Sequence, residues 1–172
     1  MSVIGPPSDD GPAARAGEAD GAGDPGRELL VMRLGEAHFG LWIDEVLEIA
    51  ATPPISRLPL AVPEVAGVTG IRGDVVPVLD LGVRLLGAPA ERPGRLVLLR
   101  HRESDSIVAL LVDAVETMVS VQPGEVGEAP REAAAALPAG MIEGIVARPD
   151  RVITILRSGG VAAPPAASTE EE

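Results

Sequence analysis

Few side chains in this sequence could do chemistry. There are fourteen Arg, 26 Asp and Glu, and two His (His38 and His101), but no Cys, Lys or Tyr. Without Cys there is no thiol nucleophile, disulfide or zinc-thiolate site. Two His fall short of a polyhistidine metal site. Two acidic pairs have general acid–base potential, Asp44 with Glu48 and Asp113 with Glu116. Either pair shares a face only on a helix, and neither has a companion electrophile or oxyanion donor, so both read as solvated charge. Gly67, Gly70 and Gly73 recur every third residue, as in a phosphate loop. No Gly-Lys-Ser/Thr follows, no helix follows, and Asp74 would repel phosphate, so backbone geometry is the better account. Arg72 is the sharpest candidate. A guanidinium beside a glycine turn can be held to meet a carboxylate with two parallel hydrogen bonds. An intramolecular pair with Asp80 or Glu48 competes with partner binding, and the two roles can coexist. His38 and His101 read as surface residues, and Asp80 and Asp113 as caps or turn acceptors. No catalytic, cofactor or metal site is expected.

Those residues sit in a chain of 172 with a net charge of −12, 46% hydrophobic and 23% charged. That balance is globular rather than disordered. Phe39 and Trp42 are the only aromatics. An acidic chain with two aromatics offers neither a phosphate-binding face nor a base-stacking platform, so no nucleic-acid partner is expected. The longest apolar run, 107–112, is far short of the ~18 residues of a membrane span. No secretory signal is visible at the start, and a cytoplasmic location is the expectation. Residues 1–26 are mostly Gly, Pro and Ala with a net charge of −4; residues 158–172 end on Glu170-Glu171-Glu172 with a net of −3. Both segments read as disordered acidic tails around a folded unit at 27–157.

The unit is rich in short strands. Residues 28–34 and 37–43 flank Gly35-Glu36 as a hairpin, with Phe39, Leu41 and Ile43 on one face of a half-buried second strand. Asp44 stands where a helix N-cap would, so one or two helical turns are expected after it. Residues 55–60 read as a short strand. Two apolar arms in 65–81 flank Gly73-Asp74, a Gly-first pair suited to a type II′ turn. Pro77 implies an edge or a bulge in the second arm. Residues 80–86 read as a capped helix closed by Gly87. Hairpins at 95–100/106–112 and 141–146/151–156, a strand at 119–121 and a helical turn near 131–137 complete the pattern. No sequence repeat is present. Many short strands without a long amphipathic helix indicate an all-β barrel or pair of barrels.

Taken in order, these segments resemble the CheW adaptor family of bacterial chemotaxis. The similarity runs through Val46-Leu47-Glu48-Ile49 and Pro63 to the central element, residues 67–73, Gly-Val-Thr-Gly-Ile-Arg-Gly. It continues through Val76-Pro77-Val78-Leu79-Asp80-Leu81, Val112-Asp113-Ala114-Val115 and Ile142-Glu143-Gly144-Ile145. It spans residues 27–156. Two departures stand out. Gly70 replaces the family's usual Asn, which implies a looser loop before Arg72. Arg157-Ser158-Gly159-Gly160 follows the last strand where the family has a helix, which implies that the helix is absent.

The resemblance implies two packed SH3-like five-stranded β-barrel subdomains sharing one core. It also implies a non-catalytic adaptor that binds the regulatory domain of a CheA-type histidine kinase and the cytoplasmic tip of chemoreceptors. Such an adaptor is cytoplasmic, is recruited to membrane-associated receptor arrays and does not insert into the membrane itself. Val46, Glu48, Gly67, Val68, Arg72, Gly73 and Val97 match family positions implicated in partner contact. On an extended segment Val46 and Glu48 share a face. The same fold in a different chemosensory-like pathway, such as surface motility, is the alternative, and a catalytic or ligand-binding β-barrel is a more distant one.

Overall fold

The computed structural model describes residues 26–101, 103–138 and 140–165. Strands β1 (Arg27–Leu34) and β2 (Ala37–Trp42) form the expected hairpin, with Leu34 opposite Ala37. A 3-10 turn at Ile43–Glu45 follows, and the chain then extends as β3 (Val46–Ala51). The helix expected after Asp44 is thus reduced to three residues. Pairing of β3 with β6 (Arg95–Arg100) overrides the local cap signal. The segment 55–60 is not a strand either. Pro53, Pro54 and Pro59 lack N–H donors, and only Ser56 pairs, bridging to Val68.

The central hairpin is β4 (Val65–Ile71) and β5 (Asp74–Asp80). Its turn is Arg72-Gly73 rather than Gly73-Asp74. Ile71 faces Asp74, with φ of 52° at Arg72 and 85° at Gly73. Two central residues at positive φ make it type I′ in kind, which suits the twist of the strands it joins. Gly70 lies within β4, opposite Val75, so the looser loop expected from the missing Asn is absent. β5 is an interior strand, but its parallel ladder to β7 (Ile107–Val112) begins at Val78. Pro77 therefore has only β4 beside it, which is how an interior strand tolerates it.

Asp80 caps α1 (Leu81–Leu86), accepting from the Val83 N–H at 3.2 Å, and Gly87 closes the helix in the left-handed region, as expected. The remaining elements are β8 (Ala114–Val121), α2 (Arg131–Ala136), β9 (Ile142–Arg148), β10 (Arg151–Leu156) and α3 (Ser158–Val161). α3 stands where the sequence suggested no helix and the start of a tail. Val161 and Ala162 are buried in the core, and the carbonyls of Gly160 and Ala163 accept from the buried Arg84. Residues 1–25 and 166–172 of the expected tails lie outside the described residues.

The strands make two five-stranded sheets, ordered β8-β1-β2-β10-β9 and β3-β6-β7-β5-β4. The element order repeats although the sequence does not. Each half runs hairpin, strand, loop, hairpin, short helix. The halves exchange their first hairpins: β1-β2 joins β8, β9 and β10, while β6-β7 joins β3, β4 and β5. The parallel pairs β2/β10 and β7/β5 are the joints of that exchange.

Each sheet curls until the segment just past one edge strand meets the other edge strand at one isolated bridge. In the second sheet Ser56 and Val68 exchange two hydrogen bonds of 2.8 and 2.9 Å; in the first Gly127 and Ile145 do the same, also at 2.8 and 2.9 Å. A Cβ on Gly67 (φ 146°) would lie 2.2 Å from the Ser56 carbonyl oxygen, so only glycine allows that approach. An arginine spans each closure as well. Arg148 reaches Glu125 at 3.1 Å and the Ser120 carbonyl at 2.7 Å, and Arg72 reaches Glu48 across the other.

Both faces of the first sheet are covered. Leu30, Met32, Phe39 and Leu41 enter the core shared with the second sheet. Leu29, Val31 and Trp42 fill a smaller core with Val146, Ile153 and Ile155. β2 is therefore buried on both faces rather than half-buried. Asp113 ties the exchange together: its carboxylate accepts from the N–H of Gly35 at 2.7 Å and of Glu91 at 2.6 Å.

Two predictions follow from the closures. Gly67→Ala should lower unfolding stability by about 1–3 kcal/mol, from strained backbone and the collision with Ser56. Gly70→Ala, in an open strand position, should raise it by about 0.5–1 kcal/mol. Urea midpoints at constant slope measure both. Glu125 supplies a pH dependence. The Gln122 N–H, and then Arg148, hold its carboxyl below the ordinary value of 4.5. Because the folded value is the lower one, the stabilisation is complete above pH 4.5 and disappears as pH falls through the lowered folded value. Glu125→Gln should therefore melt below the parent at neutral pH, and the gap should close on acidification; a constant gap would contradict this.

Candidate interaction site

The Arg72-Gly73 tip and β3 lie on opposite edges of the second sheet, 24 residues apart in sequence. Curling brings them together. Arg72 Nη1 donates to Glu48 Oε1 at 2.7 Å, and Nη2 donates to Oε2, a two-pronged pair. As hydrogen-bond acceptor and as charge, Glu48 holds the Arg72 guanidinium above the ordinary arginine range. The Arg72 side chain is still 72% exposed, while that of Glu48 is 28% exposed. The pair is a fixed, outward-facing array of opposite charges.

A bulge sets the surroundings of that pair. Val46 faces Leu99 and Glu48 faces Leu98, leaving Leu47 as the extra residue in the β3–β6 ladder. Bulges re-aim side chains in this way, and Leu47 is 45% exposed. Val75, one residue past Asp74, is 76% exposed. Leu47, Glu48, Ile71, Arg72 and Arg100 border a hollow of about 270 Å³. A second hollow, of about 410 Å³, runs beside it between the barrels. It is lined by residues 44–47, by Arg100 and Asp105 of the β6–β7 hairpin, and by Ser158 of α3. Arg27 anchors its rim, 2.9 Å from Asp44 and stacked 4.2 Å from the Trp42 ring centre.

The residues expected to meet partners separate into three groups. Val46, Glu48, Arg72 and Gly73 converge on this end of the second barrel. Gly67 is buried beneath Ser56, and Val68 is half-buried on the same closure, so both shape the barrel edge. Val97 is fully buried opposite Ile49 and Leu110, and any influence on a partner passes through packing. Sequence reasoning missed Leu47 and Val75. The lone apolar Leu47 between Val46 and Glu48 carried no sign of a bulge, and Val75 alternated like a core residue.

The acidic pairs weighed for catalysis are committed elsewhere. Asp44 binds Arg27 and Glu48 binds Arg72. Asp113 caps two backbone N–H groups. Glu116 meets Arg151 at 3.0 Å and His38 at 3.2 Å. Among the described residues no group of three or more His, Cys, Asp or Glu is placed to hold a metal, and no helix is long and apolar enough to cross a membrane.

Comparison with known proteins matches this geometry to one family. Residues 28–163 match the CheW-like domain. The chain is 32% identical over 136 residues to the chemotaxis protein CheW of Rhizobium meliloti, covering 79% of this chain and 87% of that one. Protein FrzA of Myxococcus xanthus is 35% identical over 88 residues, 51% of this chain and 54% of that one. The scaffolding protein TtCheW from Thermoanaerobacter tengcongensis has the same fold, with a TM-score of 0.68 at 24% identity over 78% of this chain and 90% of that one. With the family matched over the whole double-barrel unit, α3 included, this chain is a member of the CheW-like domain family.

Proposed function

We propose that this protein is a non-catalytic adaptor that couples chemoreceptors to a CheA-type histidine kinase. It acts in the cytoplasm, at membrane-associated receptor arrays. The observation that carries the reading is the exposed Glu48–Arg72 pair, set among Val46, Leu47 and Val75 beside the inter-barrel groove. A receptor's cytoplasmic tip is helical in this reading, and a helix laid in the groove would bury its apolar face on Val46 and Leu47. The charged pair at the rim would fix its register. The kinase's regulatory domain would take the barrel end formed by Arg72, Gly73 and Val68. Coupling is then geometric: a receptor's conformational bias reaches the kinase as a free-energy difference between two arrangements of one rigid adaptor.

A second reading places the same scaffold in another chemosensory-like pathway. The similarity to Protein FrzA favours it. Identifying which receptor and kinase co-purify from the native cell separates the two.

Reconstitution tests the adaptor reading. Adding the protein to receptor and kinase should change kinase autophosphorylation, and an unchanged rate rejects the proposal. Arg72→Glu should weaken coupling by about tenfold or more, because it sets a second carboxylate beside Glu48 where a partner meets the guanidinium, and should lower the melting temperature slightly through loss of the exposed pair. The charge swap Glu48→Arg with Arg72→Glu gives the sharper result. It restores the intramolecular pair but reverses what a partner meets. Coupling should stay lost; its recovery would mean that the pair serves only the fold.

A further inference from the structure

Nine of the twelve described arginines meet a carboxylate or a backbone carbonyl. Arg57, Arg92 and Arg131 meet neither among the described residues, in a chain with a net charge of −12. Arg57 and Arg92 line one cavity of about 410 Å³ on the second barrel, and both are exposed. The cavity lies between the β3–β4 loop and the segment after α1, at the end of the central hairpin remote from Arg72-Gly73. Its walls are more polar than apolar, with Ile55, Val62 and Val83 supplying the apolar part. One carboxylate borders it, that of Asp80, which is 3% exposed. Both Asp80 oxygens already accept from the Ala90 N–H, and one also from the Val83 N–H. Glu91, beside Arg92, is directed to Arg33 at 3.9 Å, and Glu64 pairs with Arg84 at 2.8 Å. Two cations therefore border the cavity with no acid to answer them.

The backbone that carries these arginines is already held. Ser56, just before Arg57, is locked to Val68 by hydrogen bonds of 2.8 and 2.9 Å, and the Thr69 hydroxyl donates to the Pro54 carbonyl at 2.7 Å. At the far end of the loop the Val65 N–H donates to the Val62 carbonyl at 2.9 Å, and the Asp80 N–H to the Glu64 carbonyl at 2.7 Å. On the other wall the N–H groups of Ala90 and Glu91 are held by Asp80 and Asp113. Walls fixed in this way lose little freedom when a ligand binds. Planar guanidiniums match oxyanions through paired hydrogen bonds, and the cavity has small-molecule size. The overall negative charge of the chain opposes a long polyanion. At physiological salt that charge is screened within about 8 Å, so a small anion in the cavity meets mainly the two arginines. We propose that this cavity binds a small doubly charged oxyanion, a phosphate ester or a dicarboxylate. Arg57 and Arg92 take its charge, and Ile55, Val62 and Val83 pack against its carbon part. The occupant bridges the β3–β4 loop to the segment after α1. The site is separate from the Glu48–Arg72 pair and does not rest on the adaptor reading.

Backbone amide spectra of the full chain test this, titrated near neutral pH and at constant ionic strength with inorganic phosphate, succinate and acetate. Phosphate or succinate should give saturable shifts at Ala61, Val62, Ala66 and Val83. Whichever saturates at the lower concentration identifies the occupant as a phosphate ester or a dicarboxylate. Acetate carries one charge and should need at least about tenfold more, because it answers only one guanidinium. Arg57→Gln and Arg92→Gln should each weaken the better anion by about tenfold, the loss expected for one charge-assisted contact. Both side chains are exposed, so the rest of each variant's spectrum should match the parent. Arg131→Gln removes the other unanswered cation, which lies on α2 outside the cavity, and should change nothing. Shifts that rise without saturating, that acetate matches at equal concentration, that Arg131→Gln weakens equally, or that survive the Arg57→Gln/Arg92→Gln double substitution mean an adventitious ion only and overturn the proposal. None of these readouts involves receptor or kinase, so they stand apart from the test of the adaptor reading.

Discussion

Each barrel closes where two backbones come within hydrogen-bonding distance over a glycine, and the rest of the molecule depends on that approach. A five-stranded sheet left open exposes the donors and acceptors of two edge strands. Here the chain just past one edge strand is turned onto the other edge, and Gly67 beneath Ser56 and Gly144 beneath Gly127 leave room for the crossing. The closures are short, one bridge each. They are reinforced by a side chain rather than by a longer ladder: Arg148 on one, Arg72 on the other. Glu48 and Arg72 meet only because the sheet has curled that far. The candidate site is therefore a product of closure, and the pair in turn holds the closure.

The exchange of hairpins explains why the two barrels form one body. Neither half of the sequence supplies a complete barrel. The crossings between barrels, at residues 43–45, 81–94 and 113, are pinned by short contacts: Arg27 on Asp44, Asp80 on α1 and Ala90, and Asp113 on Gly35 and Glu91. Arg84 adds a buried tie from α1 to the last turn, and loss of solvent lowers its own proton affinity. A buried guanidinium is tolerated because Glu64 and two carbonyls accept from its two terminal nitrogens, although its buried Nε–H has no partner among the described residues. The inter-barrel groove inherits this rigidity, since its walls come from the β2–β3 turn, the β6–β7 hairpin and α3.

Much of this was legible in the residues. Period-two apolar patterns, the Gly35-Glu36 turn pair and the Asp80–Gly87 cap signals placed most strands and α1, because local chemistry and final structure agree there. The misses share one cause, which is pairing between distant segments. Val46–Ala51 looked like the start of a helix because its partner strand lies about fifty residues on. Ser158–Val161 looked like a tail because Gly159 and Gly160 are poor helix formers. Yet a Cβ on Gly160 would lie 2.4 Å from the Gly140 carbonyl oxygen, so the glycine that weakens the helix is what lets it dock. Arg72 and Glu48 were both singled out, but sequence alone left Asp80 as an equal partner for Arg72. The curl of the sheet decides between them.

The form of the Glu48–Arg72 pair limits what it can contribute to binding. A partner that approaches it finds each charge already answered, so it gains little from a new ion pair unless it displaces an existing one. Exposed pairs of this kind add modest affinity. The apolar surface beside it, Leu47 and Val75, is what a partner can bury for net gain. The pair contributes direction: a fixed acceptor and a fixed donor fork, side by side, favour one orientation of a partner's polar groups and oppose the reverse. A bulge that exposes Leu47, a type I′ tip that projects Arg72 and a curl that brings Glu48 under it are three backbone features that yield one oriented surface. For a scaffold whose output is the relative placement of other proteins, orientation is the property its surface must supply.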